Sequence, residues 1–449
     1  MEVVARFRET FPNDRVACCY VRMLTAPDDR QVVKSSSSFP ARHATGVLLV
    51  ALLACVKHDD DTTVMVRDSA GIQIVENRAP VWSKAETWTL SPEPVLQIGT
   101  DAGAPEYEFT QVWGVHRLPN GHIVVADSVL SFFDSSGKFL RRAGRRGQGP
   151  GEIDRLLELK RSRGDTIVVH SQALRLSVFT GDGAHVRAVN IVPPDSLALI
   201  EKLLGFFDDG SFLARTNVVP TRTTSVEPTP DSATVMRFAP DGSFQQIMGR
   251  FPIWMRAHTG STTAAMIFGP TGWIVPHGQR FYVGFPTTFQ IGVHRADGSL
   301  ERLIRRAWRP TPVTDVDLKR YRDAWRALRT MPDGRQLSSA ELQEWMQRLD
   351  RAPFASTPPA HSIFFVDHVG NLWVRHYELA GATYGIGLLP DGDEPAHASV
   401  FDPQGRWLGD VAIPPAFYVH DIGEDYFLGT MNDADGVQYV RMYALKKPG

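Results

Sequence analysis

Leu118–Pro119–Asn120–Gly121–His122–Ile123–Val124–Val125–Ala126–Asp127 is followed six residues later by Phe133–Asp134–Ser135–Ser136–Gly137–Lys138–Phe139. The first stretch is a glycine turn opening into a run of β-branched residues. The second ends a strand on an aromatic residue and turns again on glycine. Glycine supplies the positive φ that such tight turns need, and the flanking residues fit a pleated, half-buried surface.

Both patterns recur. The first returns at Arg163–Gly164, Asp208–Gly210, Gly278–Val283, Gly370–Val374 and Gly423–Leu428, which makes six copies. The second returns at Phe179–Gly183, Phe238–Phe244, Val293–Leu300 and Phe401–Trp407, which makes five, with glycine-to-glycine spacings of 46, 59, 56 and 107. The long interval contains a segment of different character. A repeat of this length holding several short strands is the mark of a propeller blade. The fold expected is all-β, a six-bladed β-propeller over residues 86–449. The absence of a sixth turn of the second kind implies that the last blade borrows its outer strand from the start of the domain, at Pro94–Gly99. That arrangement removes a free sheet edge at the seam.

Residues 311–352 interrupt the pattern. Leu318, Tyr321, Trp325 and Leu328, then Leu342, Trp345, Met346 and Leu349, fall at one-faced helical spacings. Thr314 with Asp317, and Ser338 with Glu341, read as helix-starting pairs. Pro332–Asp333–Gly334 reads as the turn between two helices. The expectation is a helical hairpin inserted between blades, serving chiefly as a packing brace. Arg320, Arg322, Arg326, Arg329, Arg348 and Arg351 are expected on its solvated face.

The repeat resembles the six-bladed propellers of the NHL type, most clearly in Asn120–Asp127 and in Gly144–Glu152. Asp68–Asn77 is similar to the opening of six-bladed propeller lipoproteins of environmental bacteria. This resemblance implies a fold and a place in the cell envelope. It also implies an alternative function, since some relatives are calcium-dependent lactonases or lyases with inward-facing carboxylates. No such set is evident in this sequence.

Ahead of the repeats, Val47–Ala54 is an uncharged apolar run flanked by Arg42 and ending Leu52–Leu53–Ala54–Cys55. It is too short to span a bilayer and suits a secretory signal core. The ending resembles a bacterial lipobox, which implies cleavage before Cys55 and its lipidation. Residues 1–54 are then a leader, and 55–85 a lipidated tether and polar linker. The only other cysteines are Cys18 and Cys19, so a chain beginning at Cys55 carries no disulfide into an oxidising compartment. Val56, rather than Asp, follows the cysteine, which favours the outer membrane on its periplasmic side.

Charge limits the partners. The whole chain carries 48 Lys+Arg against 50 Asp+Glu, a net charge of -2. The leader holds 7 and 5 of these, leaving 41 against 45. A basic nucleic-acid surface is not expected, and membrane contact is expected through the lipid anchor alone. No His-Glu-x-x-His or Gly-x-Ser-x-Gly motif occurs. Gly144–Gly151 lacks the Lys-Ser/Thr of a phosphate loop, and Asn432–Gly436 lacks the glutamate of a calcium loop. His116 with His122 read as residues on the two strands of a hairpin, and Asp127 as an acceptor of turn N–H bonds, rather than as a metal or catalytic set. No catalytic or metal-binding residue is assigned, no cofactor is required, and calcium enters only through the resemblance. The reading is a non-catalytic module for an unidentified small-molecule or protein ligand; the alternative is a channel-centred hydrolase or lyase.

Overall fold

The computed structural model describes residues 63–171, 174–194, 199–218, 227–259, 262–327, 337–379, 395–433 and 436–448, all within one compact unit, Thr63–Gly449. The leader, Cys55, Leu328, Arg329, the 332–334 turn and the acidic loop residues Asp391, Asp393 and Glu394 lie outside the described residues.

Six sheets form the six blades of a β-propeller. Blade 1 runs Gly114–Arg117, Ile123–Ala126, Leu130–Phe133 and Phe139–Ala143. Blade 2 runs Leu156–Arg161, Ile167–Ser171, Arg175–Phe179 and His185–Asn190. Blade 3 runs Ile200–Phe206, Phe212–Thr216, Thr229–Phe238 and the long Phe244–Thr259, with Thr262–Ala265 folded back on it. Blade 4 comprises Trp273–His277, Arg280–Gly284, Gln290–Arg295 and Leu300–Arg306. Blade 5 comprises Phe364–Val366, Leu372–Arg375, Ala396–Phe401 and Trp407–Ile413. Blade 6 takes Tyr418–Ile422, Tyr426–Asn432 and Gln438–Lys446 from the end of the chain.

The outer strand of blade 6 is Leu96–Ile98, paired antiparallel with the last strand as Ile98 with Val440, Gln97 with Arg441 and Leu96 with Met442. The ring is therefore sealed as the sequence implied. Leu96 and Ile98 bury their side chains with Val115, Ile123, Phe133 and Leu428, so the seam is also a core. Equivalent apolar cores fill the five other blade junctions, each drawing side chains from two neighbouring blades. Burial of this kind contributes about 25 cal/mol per Å² and is what holds radially arranged sheets together.

A second N-terminal element was not legible as structure. Residues 64–77, read from sequence as part of a polar linker, form a hairpin of Val64–Ser69 and Ile72–Asn77. Its turn, Ala70–Gly71, holds φ of 53° and 79°, the left-handed pair that matches strand twist in a two-residue hairpin. Ile72–Asn77 adds in parallel to the outer strand of blade 4, with Gln73 opposite Arg302 and Asn77 opposite Arg306. The chain then crosses blade 5, where Trp82 sits over Gly409. A Cβ on Gly409 would stand 2.5 Å from the indole, so only glycine leaves that seat open.

Four antiparallel strands per blade decide what each face carries. Every first-to-second and third-to-fourth turn lies on one face, which we call the turn face. Both recurring glycine patterns are these turns. The second-to-third connections and the links between blades emerge on the opposite, loop face. The helical hairpin belongs to the loop face, in the link between blades 4 and 5. It consists of α1 (Asp315–Ala327) and α2 (Ser339–Arg351). Ser338 and Glu341 cap α2 reciprocally, and Thr314 exchanges hydrogen bonds with Asp317 before α1. Leu318, Tyr321, Trp325 and Leu349 pack on Ile267 and Phe268, beyond the long hairpin of blade 3. The hairpin is thus braced on a blade extension. Arg322 pairs with Asp350, Arg326 with Asp323 and Arg348 with Glu344, so these arginines are matched by acids of the same insert.

Candidate functional site: the central channel

The innermost strands of consecutive blades lie side by side around an axis. Arg161 donates to the Arg117 carbonyl between blades 2 and 1, and the Leu203 N–H donates to Glu158 between blades 3 and 2. The Asp208 N–H donates to the Gly278 carbonyl between blades 3 and 4, and the His368 N–H to the Ile422 carbonyl between blades 5 and 6. Blade 1 meets blade 6 where the Arg117 N–H donates to Asp421.

Counting ladder pairs upward from the turn face places the channel residues in layers. The second pair holds His116, Lys160 and Asp421; the fourth holds Gly114, Glu158, Lys202 and Tyr418. Register shifts interrupt the inner strands of blades 2, 3 and 6. A bulge re-aims a side chain, and here it leaves His420 as the extra residue between Val419 and Asp421.

The lower layer centres on Asp421. His368 Nε2 lies 2.7 Å from its Oδ1, Tyr426 donates its hydroxyl to Oδ2 at 2.8 Å, and His116 Nδ1 lies 3.7 Å from Oδ2. Burial pushes this carboxyl up, but the His116 and His368 imidazoles more than reverse that and hold it well below the usual carboxylate range. Burial, with the Asp421 charge beside it, raises the Tyr426 hydroxyl. Arg117 lies over the Tyr426 ring and reaches Asp425 at 3.2 Å. His420 bonds Thr430 Oγ1 through Nε2 at 3.1 Å. Burial, reinforced by His116 and Lys160, lowers its pKa to about 3, so the ring is neutral.

The upper layer opens toward the loops. Glu158 accepts the Leu203 N–H at 3.1 Å, lies 3.8 Å from Lys202 Nζ and has the buried His170 ring at 3.5 Å. Burial works against its charge, but the His170 contact and the Lys202 and Lys160 ammonium groups outweigh it and bring its pKa to about 2. Lys202 Nζ lies 5.5 Å from the centre of the half-buried Trp273 ring. Tyr418 is 41% exposed although burial raises its hydroxyl pKa. It is the first residue of its inner strand, at the loop-face end. Arg375, at the loop-face end of the second strand of blade 5, lies 3.9 Å from Glu378.

The residues singled out from sequence fall elsewhere or take structural parts. Asp127 accepts the Thr110 and Gln111 N–H groups at 3.3 and 3.2 Å, the turn role expected of it. His122 bonds Asn120 in its own turn, so His116 and His122 form no pair. In Gly144–Gly151, Glu152 caps Gly149 and pairs with Arg145, closing a link between blades. In Asn432–Gly436, the Gly436 N–H donates to the Asp433 carbonyl as in a hairpin turn. Among the described residues, no group of three His, Cys, Asp or Glu is placed to hold a metal, and no helix is long and apolar enough to cross a membrane. Glu158, Lys160, Lys202, Trp273 and Tyr418 were missed. They come from four blades, and only the register of each inner strand, bulges included, brings them to one lumen.

No family model matches the sequence, and no curated protein matches it. Among solved structures, the chain is similar to a candidate exported protein of Bacteroides fragilis NCTC 9343, at 12% identity and a TM-score of 0.43, covering 83% of this chain and 99% of that one. It is also similar to a member of the DUF4221 family from Bacteroides vulgatus ATCC 8482, at 12% identity and a TM-score of 0.45, covering 81% and 100%.

Proposed function

We propose that this protein is an exported β-propeller, anchored through a lipid on Cys55 at the periplasmic side of the outer membrane, that binds a ligand in its channel without transforming it. Two things support the reading. The Val47–Cys55 segment has the length, flank and terminal cysteine of a lipoprotein signal, and no cysteine follows it. The observation that carries the binding role is the upper channel layer. Glu158, Lys202 and Tyr418 form a polar shelf with aromatic walls, placed below the face that carries the long connections, where loops of all blades converge. The lower layer has the opposite character: Asp421 spends its lone pairs on blade-to-blade contacts, as a structural node does.

The anchor is tested by labelling cells with a fatty-acid analogue and fractionating membranes. Label on the wild type, and its loss with release from the membrane in Cys55→Ser, is the expected result. Label retained by Cys55→Ser contradicts it. The binding role is tested by tryptophan fluorescence and melting of the full chain against organic acids, sugars and peptides, with Lys202→Met as the channel control. Catalytic turnover of a ligand that binds there would replace the non-catalytic reading with the hydrolase or lyase one.

A further inference from the structure

The chemistry of the channel ligand follows from which hydrogen-bonding groups in the lumen are already used. This inference rests on the binding role proposed above. Among the described residues, the upper-layer carboxylates are already engaged: Glu158 with the Leu203 N–H, the Lys202 ammonium and the His170 ring, and Glu378 with Arg375. They have little left to offer a cation. The donors are less committed. Lys160 lies two ladder pairs below Glu158, on the same face of an unbroken ladder segment, and makes no close ion pair among the described residues. The Tyr418 hydroxyl makes no hydrogen bond among the described residues, and its side chain is 41% exposed at the loop-face end of the inner strand. His420, between them on blade 6, is spent on Thr430. Acceptors are used up while donors remain, and a lumen of that kind favours an anion over a cation or a neutral polyol.

The walls add shape. Half-buried Trp273, at the fifth ladder pair of blade 4, has the Lys202 ammonium 5.5 Å from its ring centre, and Tyr418 is 41% exposed. Flat or apolar groups pack on such faces. We propose that the channel binds a small organic carboxylate with a flat or apolar body, its carboxylate held by Lys160 and the Tyr418 hydroxyl and its body against Trp273.

The test uses three probes that share a ring and differ in charge: benzoate, benzyl alcohol and benzylamine. Each is titrated into the full chain by ligand-observed NMR, alongside Lys160→Met and Tyr418→Phe, whose melting temperatures confirm folding. The expected result is saturable benzoate binding, at least tenfold tighter than either other probe and weakened at least tenfold by each substitution. Benzylamine or benzyl alcohol bound as tightly, with the interaction lost in Lys202→Met, overturns the anion inference and leaves the binding role standing. Benzoate bound equally by wild type and both variants overturns the placement. No saturable binding by any probe counts against both the anion inference and the channel as a binding site.

Discussion

His368 Nε2 lies 2.7 Å from Asp421 Oδ1, and that one carboxylate joins three consecutive blades: blade 5 through His368, blade 6 through Tyr426, and blade 1 through the Arg117 N–H. It sits where the first and last blades meet, so it reinforces from inside the seam that Leu96–Ile98 closes from outside.

Replacing Asp421 by Ala strands two imidazoles, a phenol and a backbone N–H in a buried place. Loss of one partner from such a network costs about 3–5 kcal/mol. Urea unfolding at pH 7 is expected to show that loss. The carboxyl is depressed in the folded state, so its stabilisation is complete above its unfolded value near 4 and fades as pH falls from there toward the folded value. The gap between wild type and Asp421→Ala should narrow in acid. A gap that is the same at pH 7 and pH 3 contradicts the assignment.

His361 provides a separate acid sensitivity. Its ring is fully buried, donates through Nδ1 to the Ser362 carbonyl and leaves Nε2 without a partner among the described residues. Burial lowers its pKa to about 4. The unfolded chain takes up this proton near pH 6.5 and the folded chain does not until about 4. Stability from the neutral ring is therefore present above 6.5 and lost as pH falls across that window, by about 3 kcal/mol at most. His361→Asn is expected to flatten the stability profile between pH 7 and pH 5. An unchanged slope contradicts it.

The helical insert should come loose without unfolding the propeller. Trp325 is buried and stacks on Trp345 with ring centres 5.5 Å apart and planes 8° from parallel. Trp325→Ala removes the centre of that small core, a change of about 3–5 kcal/mol for a buried tryptophan. Limited proteolysis is expected to cut within 311–352 early, while the remaining melting transition moves little. A single transition lowered by the full amount would mean that insert and ring fold as one.

Sequence reading carried the ring and stopped short of its contents. The turns were legible because Gly121, Gly137, Gly183, Gly242, Gly298 and Gly405 all sit at positive φ, where other residues are strained. The seal was legible as a spare strand and a missing turn. The hairpin at 64–77 was not: it pairs in parallel with a strand more than two hundred residues away, and its adjacent Ile74 and Val75 are both buried between polar Gln73 and Glu76, so no simple alternation shows. The channel set was illegible for a related reason. Lys202 and Tyr418 come level with Glu158 only because the inner strands of blades 3 and 6 each carry a register shift, and a bulge has no fixed signature in local sequence.

Every statement about the lumen depends on the ring being closed by Leu96–Ile98, because that strand holds blade 6 against blade 1. Hydrogen exchange with mass spectrometry on the full chain tests this most directly. The account predicts that amides of 94–99 are protected to the same degree as those of 438–446 and open together with them, and that Ile98→Asp, which buries a charge in the seam core, accelerates exchange in both segments at once. Rapid exchange at 94–99 in the wild type, with 438–446 still protected, would contradict the closed ring and the channel built inside it.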